Sequence, residues 1–266
     1  MSRIELVDCH THTIFSDGAG TLDENLTAAR VANVTTIACT DHWGRPDFID
    51  CSIAAPSLPS YHRAVEEAKL RFSDLEIVHG LEADWYPGCE DNVRSLREDT
   101  VFLLGSVHYL DEKPIDWFEH REIWDEVGAD EVWRRYVEQW CAAATSGLFD
   151  SMAHPDLPRL FSLRGYAPTS PLDAHFDSMA EAAREGGVRV EVNTAGLTKD
   201  FAEFYPCADL LARFHRAGVG LTVGSDAHAP GRIGSAIADA YRFAASIGYT
   251  AIDVPRADGD WRHIAL

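Results

Sequence analysis

The sequence lacks the features that define membrane, disulfide-stabilised and nucleic-acid-binding proteins. Its 266 residues contain no apolar stretch near the ~20 residues that cross a bilayer. The six cysteines are scattered without a CxxC pair, in a chain too long to need disulfide cross-links. Basic residues number 23 against 43 acidic ones, giving a formal charge of -20. We therefore expect a cytoplasmic protein with reduced cysteines and with neither a membrane nor polymeric nucleic acid as partner; its oligomeric state stays open.

Short apolar runs alternate with longer amphipathic stretches along the whole chain. Because 46% of the residues are hydrophobic, the chain has enough apolar side chains for a large core. The predicted strands are 4–7, 35–40, 76–81, 102–107, 149–152, 188–192 and 219–223. The predicted helices are 22–31, 61–72, 130–144, 172–185, 208–217 and 233–247. Repeated βα units are typical of a parallel sheet, and no linker divides the chain. The sequence therefore predicts one α/β domain over residues 1–266, a length that α/β barrels commonly use for a single domain.

Two connections, residues 46–60 and 111–127, are longer than usual βα loops. The first is rich in Pro, Ser and Ala, and the second in charge and Trp. Long loops at one end of a barrel often carry binding functions.

Histidines and carboxylates follow the carboxyl ends of most predicted strands. They are His10, His12, His42, Glu82, His108, His154, Asp226 and His228. In a closed parallel barrel these strand ends lie on one face, so residues distant in sequence meet there.

Metal binding is the chemistry that this placement favours. On extended backbone, His10 and His12 point the same way, and Asp226 and His228 repeat that spacing. Nitrogen and oxygen donors without neighbouring cysteines favour Zn, Mn or Fe. Taken singly, Glu82 is also an ordinary helix-start carboxylate, His154 a turn residue before proline, and Asp17 a turn residue before glycine. Their shared placement favours the metal interpretation.

Seven motifs in chain order resemble those of the PHP (polymerase and histidinol phosphatase) family. They are DCHTHTIFSDG (8–18), CTDH (39–42), GLEADWYPG (80–88), GSVHYL (105–110), AHPDLP (153–158), VNTAGL (192–197) and GSDAH (224–228). The third, fourth and sixth are more similar to the histidinol-phosphate phosphatase branch.

The resemblance implies a distorted, TIM-like (β/α)7 barrel with two to three divalent transition metals, Zn, Mn or Fe. It implies one ion held by His10, His12, Glu82 and Asp226, a second held by Glu82 as a bridge with His108 and His154, and a third held by Asp17, His42 and His228. The sequence departs from this branch one position past Asp17, where the branch often has a histidine and this chain has Gly18.

Four further residues are candidates for substrate contact. Arg159 and Lys199 follow the fifth and sixth predicted strands, and their charges suit phosphate oxygens, although exposed surface charges are an equal alternative. Asn193 is a candidate pocket residue or a strand-end turn residue, and Trp85 a pocket wall or a packed aromatic. The predicted catalytic set is Glu82, His108, Asp226 and Arg159.

The function that the resemblance implies is metal-dependent hydrolysis of a small phosphate monoester, L-histidinol phosphate, in histidine biosynthesis. The alternative is another PHP phosphoesterase, acting on a nucleotide, a sugar phosphate or phosphotyrosine. A non-catalytic module is disfavoured because the entire donor set is present. A metal-dependent amidohydrolase is disfavoured because no lysine is placed at a strand end like a bridging carbamate.

Overall fold

A parallel sheet with helices packed around it forms the centre of the molecule. The computed structural model describes residues 4–45 and 51–266. The strands are β1 (Leu6–Asp8), β2 (Val34–Cys39), β3 (His42–Trp43), β4 (Glu76–Asp84), β5 (Phe102–Ser106), β6 (Tyr109–Leu110), β7 (Lys113–Pro114), β8 (Ser151–Met152), β9 (Arg189–Asn193), β10 (Leu221–Gly224), β11 (Ala251–Pro255) and β12 (Trp261–Ala265). The α-helices are α1 (Leu22–Ala32), α2 (Leu58–Arg71), α3 (Glu90–Ser95), α4 (Glu122–Val127), α5 (Ala129–Thr145), α6 (Asp173–Gly186), α7 (Ala208–Arg216) and α8 (Ile237–Ile247).

The main sheet has the order β1-β2-β4-β5-β8-β9-β10, and β3 also pairs with β4. Hydrogen bonds beyond the end of β1 bring the two edges of this sheet together. The backbone N–H of Cys9 donates to the carbonyl of Val223 at 3.0 Å, and that of Asp226 donates to the carbonyl of His10 at 2.9 Å. The seven parallel strands thus form a nearly closed barrel, which confirms the predicted (β/α)7 architecture.

Helix α1 shows how local sequence sets the helix bounds. Thr21 and Glu24 form a capping box, which satisfies backbone N–H groups at the first turn. Leu26 and Ala29 are fully buried on the barrel side. The helix ends at Asn33, whose φ of 59° is left-handed, a conformation that asparagine tolerates better than most residues.

Helix α5 supports the barrel near the fifth parallel strand, β8. Trp133, Tyr136 and Trp140 lie on one helical face and are buried. The Tyr136 hydroxyl donates to the carbonyl of Pro155 at 3.0 Å. This bond fixes the chain just after His154, one of the candidate metal ligands.

Two predicted elements are markedly shorter in the structure. The strand predicted at 149–152 is regular only over Ser151–Met152, although the Asp150 backbone still bonds to Leu103 and Arg189 on either side. The helix predicted at 233–247 begins at Ile237, because Gly234 and Ala236 have left-handed backbone, with φ of 71° and 58°, which a right-handed helix cannot include.

The two predicted long connections contain structure that the sequence pattern missed. Residues 111–127 include β7 and α4, and β6 and β7 form an antiparallel hairpin. Within the predicted loop 46–60, residues 46–50 lie outside the described part, and α2 already begins at Leu58. The hairpin β11–β12 was also not predicted. Among the described residues, no helix is both long and apolar enough to span a membrane.

Candidate metal centre

The segment after β1 carries two of the candidate ligands into the barrel mouth. It is hydrogen-bonded on both sides, since Thr40 donates its N–H to the carbonyl of Thr11 and His12 donates its N–H to the carbonyl of Ala227, both at 3.0 Å. The Thr11 hydroxyl adds a second bond on the β2 side, donating to the carbonyl of Ala38 at 2.7 Å. His10 and His12 are therefore held together, fully buried, on the inner side.

The carboxylate of Glu82 lies at the centre of the histidine cluster. Its Oε2 atom lies 3.0 Å from Nε2 of His10 and 2.9 Å from Nδ1 of His42. Its Oε1 atom lies 2.9 Å from Nε2 of His154 and 3.5 Å from Nε2 of His108. Burial alone would raise the pKa of Glu82, but the surrounding imidazoles hold that pKa well below its usual range. The two oxygens of one anionic carboxylate thus face two groups of imidazoles.

His12 is a fully buried side chain whose ring is not held by hydrogen bonds. Among the described residues, neither of its ring nitrogens makes a hydrogen bond. Burial, with His42 and His228 close by, lowers the pKa of His12 to about 3, so the ring is neutral and retains a lone pair. A buried imidazole without hydrogen bonds is costly unless another ligand satisfies it. This donor therefore fits a metal ion, and Asp226 Oδ1 lies only 3.2 Å from its Nε2.

A second group of donors lies towards the entrance of the site. Ligand atoms of His12, Asp17, His42 and His228 all lie within 4.8 Å of one another. Asp17 Oδ1 is 3.3 Å from Nε2 of His228 and 3.8 Å from Nε2 of His42. Burial opposes ionisation of Asp17, but these imidazoles outweigh it and lower its pKa to about 2. The group is therefore suited to a divalent cation.

Gly18 is a glycine because the turn leaves no room for a side chain. A Cβ at this position would lie 2.6 Å from the carbonyl oxygen of His12. The turn itself is fixed by the buried Asp41, whose carboxylate accepts the N–H of Thr13 at 2.8 Å and that of Ser16 at 3.1 Å. A histidine at position 18 would not fit this backbone, and Asp17 supplies the donor that faces the cluster.

A cavity of about 420 Å³ opens above the cluster. This volume is in the range of pockets that bind small molecules. Its floor contains Asp17, His42, His108, His154, Asp226 and His228. Its walls contain Cys51, Tyr109, Pro114, Asp116, Trp117, Leu157, Leu160, Lys199 and Tyr205.

Two of the candidate substrate residues, Lys199 and Asn193, lie at this site, one on the cavity wall and the other beneath the cluster. Lys199 lines the cavity wall. Asn193 is buried beneath the cluster, and its Nδ2 donates to Asp226 Oδ2 at 3.1 Å and to Glu191 Oε2 at 3.0 Å. Asn193 therefore orients a candidate ligand.

The other two, Arg159 and Trp85, are not brought to the cavity lining. The Arg159 guanidinium donates to Asp156 at 3.0 Å and to the carbonyl of Phe204 at 3.1 Å, and it pairs with Glu203. The indole of Trp85 packs edge-on against Phe149, with ring centroids 6.5 Å apart.

A family model for the PHP domain matches residues 8–195, which include all the candidate ligands from His10 to His154. The chain belongs to the PHP domain family. The motif resemblance stated from the sequence is thereby confirmed, and the barrel described above is the fold of a PHP domain.

Relatives of this PHP domain match it along most of its length. A protein of Deinococcus radiodurans named "probable histidinol-phosphatase" is 33% identical over 249 residues, covering 91% of this chain and 94% of the relative. A Thermotoga maritima protein of the same name is 23% identical over 238 residues, covering 89% of this chain and 90% of the relative. The crystal structure of histidinol phosphate phosphatase from Lactococcus lactis, complexed with Zn, L-histidinol and phosphate, superposes with a TM-score of 0.81 at 20% identity, covering 98% of this chain and 100% of that one. That structural likeness shows a common fold.

Two carboxylates of this PHP domain that the sequence analysis did not identify bind the far sides of the cluster histidines. The buried Glu191 has Oε1 2.8 Å from Nδ1 of His10, and its Oε2 accepts the backbone N–H of His154 at 3.0 Å. Asp84 Oδ1 lies 2.6 Å from Nδ1 of His108. Metal-binding histidines commonly donate their second ring N–H to such a carboxylate, which fixes the tautomer and ring orientation. Strand alternation could have located both, since Asp84 lies two residues after Glu82 and Glu191 two before Asn193.

The placement of Asp17 leads to a prediction about the metal content of one variant. Under the ligand division that the family resemblance implies, D17A removes a carboxylate that faces His42 and His228 but does not contact Glu82, so it should release the third ion and leave the other two bound. Elemental analysis of D17A is expected to show about one ion fewer per chain than the unmodified protein. The matched control is D23N, an exposed aspartate in α1 that pairs with Arg71. Unchanged metal content in D17A would remove Asp17 from the donor set.

Proposed function

We propose that this PHP domain is a metal-dependent phosphomonoesterase that hydrolyses L-histidinol phosphate to L-histidinol and inorganic phosphate. The observation that carries the proposal is the convergence of buried imidazoles on both oxygens of Glu82, beneath a cavity sized for a small molecule. The choice of substrate is supported by the Deinococcus radiodurans relative, which is 33% identical over 91% of this chain.

The proposed ligand assignment keeps the division made from the family resemblance. His10, His12, Glu82 and Asp226 would hold one ion, Glu82, His108 and His154 a second, and Asp17, His42 and His228 a third. The contacts of Glu82 on both sides support its role as a bridge. Two to three ions of Zn, Mn or Fe are consistent with this set of nitrogen and oxygen donors.

The chemistry divides between the ions and the chain. Divalent ions bound here would lower the pKa of water and stabilise the negative charge that develops during phosphoryl transfer. Glu191, Asp84 and Asn193 hold the donor side chains in place through the bonds described above. Lys199 is the cation that we propose for the phosphate oxygens, because it lines the cavity whereas the Arg159 guanidinium is bound by Asp156 and Glu203.

We also propose that the whole chain forms one domain. The hairpin β11–β12 is tied to the barrel by Arg262, which pairs with Glu5 at 2.6 Å, and by Asp253, which pairs with Arg189 at 2.7 Å. A cytoplasmic location stays a prediction from the sequence.

The proposed substrate is tested by phosphate release from a panel of esters with metal-loaded protein. The panel contains L-histidinol phosphate, an aryl phosphate, a sugar phosphate, phosphotyrosine, a mononucleotide and a phosphodiester. We expect kcat/KM for L-histidinol phosphate to exceed every other value at least about tenfold, because binding of its remote groups helps to orient the phosphoryl group. A preference for a nucleotide, a sugar phosphate or phosphotyrosine would favour the alternative function within the same family.

Lys199 provides a separate prediction about phosphate recognition. The K199Q substitution is expected to lower kcat/KM about 10- to 100-fold for all phosphate monoesters alike, because it removes a charge-assisted contact common to them. The matched control is K113Q, since Lys113 pairs with Glu126 and does not line the cavity. Equal activity of K199Q and K113Q would show that the Lys199 ammonium does not contact phosphate.

A further inference from the structure

The hairpin β6–β7 forms one wall of the cavity and folds back against a cluster histidine. Its two strands pair Tyr109 with Pro114, and the N–H of Ile115 then donates to the carbonyl of His108 at 2.9 Å. The Ile115 side chain is fully buried, and its carbonyl accepts the indole N–H of Trp124 at 3.1 Å. The backbone on both sides of Ile115 is therefore fixed, and the next residue, Asp116, is held at the cavity wall.

Asp116 differs from the other charged residues of this segment. Those residues are each paired, Asp111 with Arg135, Glu112 with Arg45, and Lys113 with Glu126. Within the part of the chain that the structure describes, the Asp116 carboxylate has neither a hydrogen bond nor an ion pair. It is half-buried and lines the cavity together with Trp117 and Lys199. A partly desolvated carboxylate without a cation is suited to receive one from a ligand.

The position of the Asp116 carboxylate is unfavourable for binding a phosphate group that has no positive charge near it. A phosphate dianion at the floor of the cavity would be repelled by an unpaired negative charge on the wall, whereas an ester that also carries an ammonium group would neutralise that charge. In L-histidinol phosphate, the ammonium is on the carbon next to the phosphorylated one, so it remains close to the floor when the phosphate is bound. Asp116 follows the segment bonded to His108, which is itself at that floor.

We propose that Asp116 binds the substrate ammonium and makes the site selective for phosphate esters of vicinal amino alcohols over esters of the same size without the amine. The inference rests on the proposed function, since it concerns the substrate of the same site. In this proposal Asp116 selects the substrate, and the histidines and carboxylates below it hold the metal ions.

The test compares two substrates that differ only in the amine. They are L-histidinol phosphate and 3-(imidazol-4-yl)propyl phosphate, assayed with metal-loaded protein. The D116N substitution is expected to lower kcat/KM for L-histidinol phosphate about 10- to 100-fold, the usual effect of losing a hydrogen bond between charged groups. For the ester without the amine, D116N should leave kcat/KM within about threefold, or raise it, because the repulsion is removed. D116E is expected to recover part of the discrimination.

The matched control is D111N, which makes the same chemical change in the same hairpin at a carboxylate paired with Arg135. Calorimetric binding of the product L-histidinol gives a second readout, which D116N should weaken and D111N should not. An equal effect of D116N on both substrates, or no effect on either, would overturn the role of Asp116 while leaving the phosphatase function in place. Failure of the unmodified protein to hydrolyse L-histidinol phosphate would overturn both proposals.

Discussion

The E82Q substitution is expected to lower kcat for phosphate ester hydrolysis by at least about 10³-fold, because it removes a fully buried charge around which the histidines are arranged. Glutamine keeps the size of the side chain but replaces one carboxylate oxygen with an NH₂ group, which cannot donate a lone pair to a metal. Since the two oxygens of Glu82 face His10 and His42 on one side and His154 and His108 on the other, more than one ion should be lost. The measurements are kcat at saturating substrate and metal content per chain.

The control for this variant is E138Q, a glutamate in α5 whose side chain is 71% exposed and pairs with Arg134. It should match the unmodified protein in activity, metal content and circular dichroism. An E82Q protein that is folded, fully loaded with metal and active would contradict the bridging role of Glu82.

Removal of metal by a chelator is expected to lower the melting temperature by about 10 °C and to abolish hydrolysis. A ligand present at about 1,000 times its Kd stabilises the folded state by about 4 kcal/mol, and about 1 kcal/mol corresponds to 2–4 °C in a domain of this size. In addition, stripping leaves both ring nitrogens of the buried His12 without a hydrogen bond among the described residues. Differential scanning calorimetry of stripped and reconstituted protein measures the change.

The control for chelation is re-addition of Zn²⁺ or Mn²⁺, which should restore both the melting temperature and the activity, whereas Mg²⁺, which prefers all-oxygen octahedral sites, should restore less. A melting temperature that is the same with and without metal would argue against an intramolecular metal centre.

The candidate cluster was predictable from the sequence because it depends on strand periodicity and on barrel closure. His10 and His12 share a face on extended backbone, and the closing bonds of the barrel carry Asp226 to them. Neither inference requires knowledge of side-chain packing. The order of the parallel strands followed from the same alternation of apolar runs and helical stretches. Their bounds did so only roughly, since the strand predicted at 76–81 extends to Asp84 and therefore includes Glu82.

The supporting carboxylates were missed for two reasons: Asp84 lies beyond the predicted end of its strand at residue 81, and Glu191 lies inside a strand and not at its end. Glu191 lies within β9, where an apolar strand is expected, and it is tolerated there because His10, His154 and Asn193 supply its hydrogen bonds. Gly224 leaves the space, since a Cβ there would lie 2.3 Å from Glu191 Oε1. Such compensation is visible only when residues from several strands are brought together.

The positions of Arg159, Trp85 and the β6–β7 hairpin required the structure for a different reason. Strand order places Arg159 near the site, but the direction of its side chain is set by Asp156 and Glu203. The hairpin is too short to show a periodic pattern, and its position depends on the bond from Ile115 to His108. The substrate contact proposed for Asp116 therefore depends on a hairpin that local sequence patterns do not predict.

The most direct test of a metal-dependent histidinol-phosphate phosphatase is a titration of metal into chelator-stripped protein, with phosphate release from L-histidinol phosphate and bound metal measured on the same samples. We expect no phosphate release without metal and a rate that rises until two to three ions are bound per chain. Full activity in the stripped protein, or a rate that reaches its maximum below one ion per chain, would contradict this expectation.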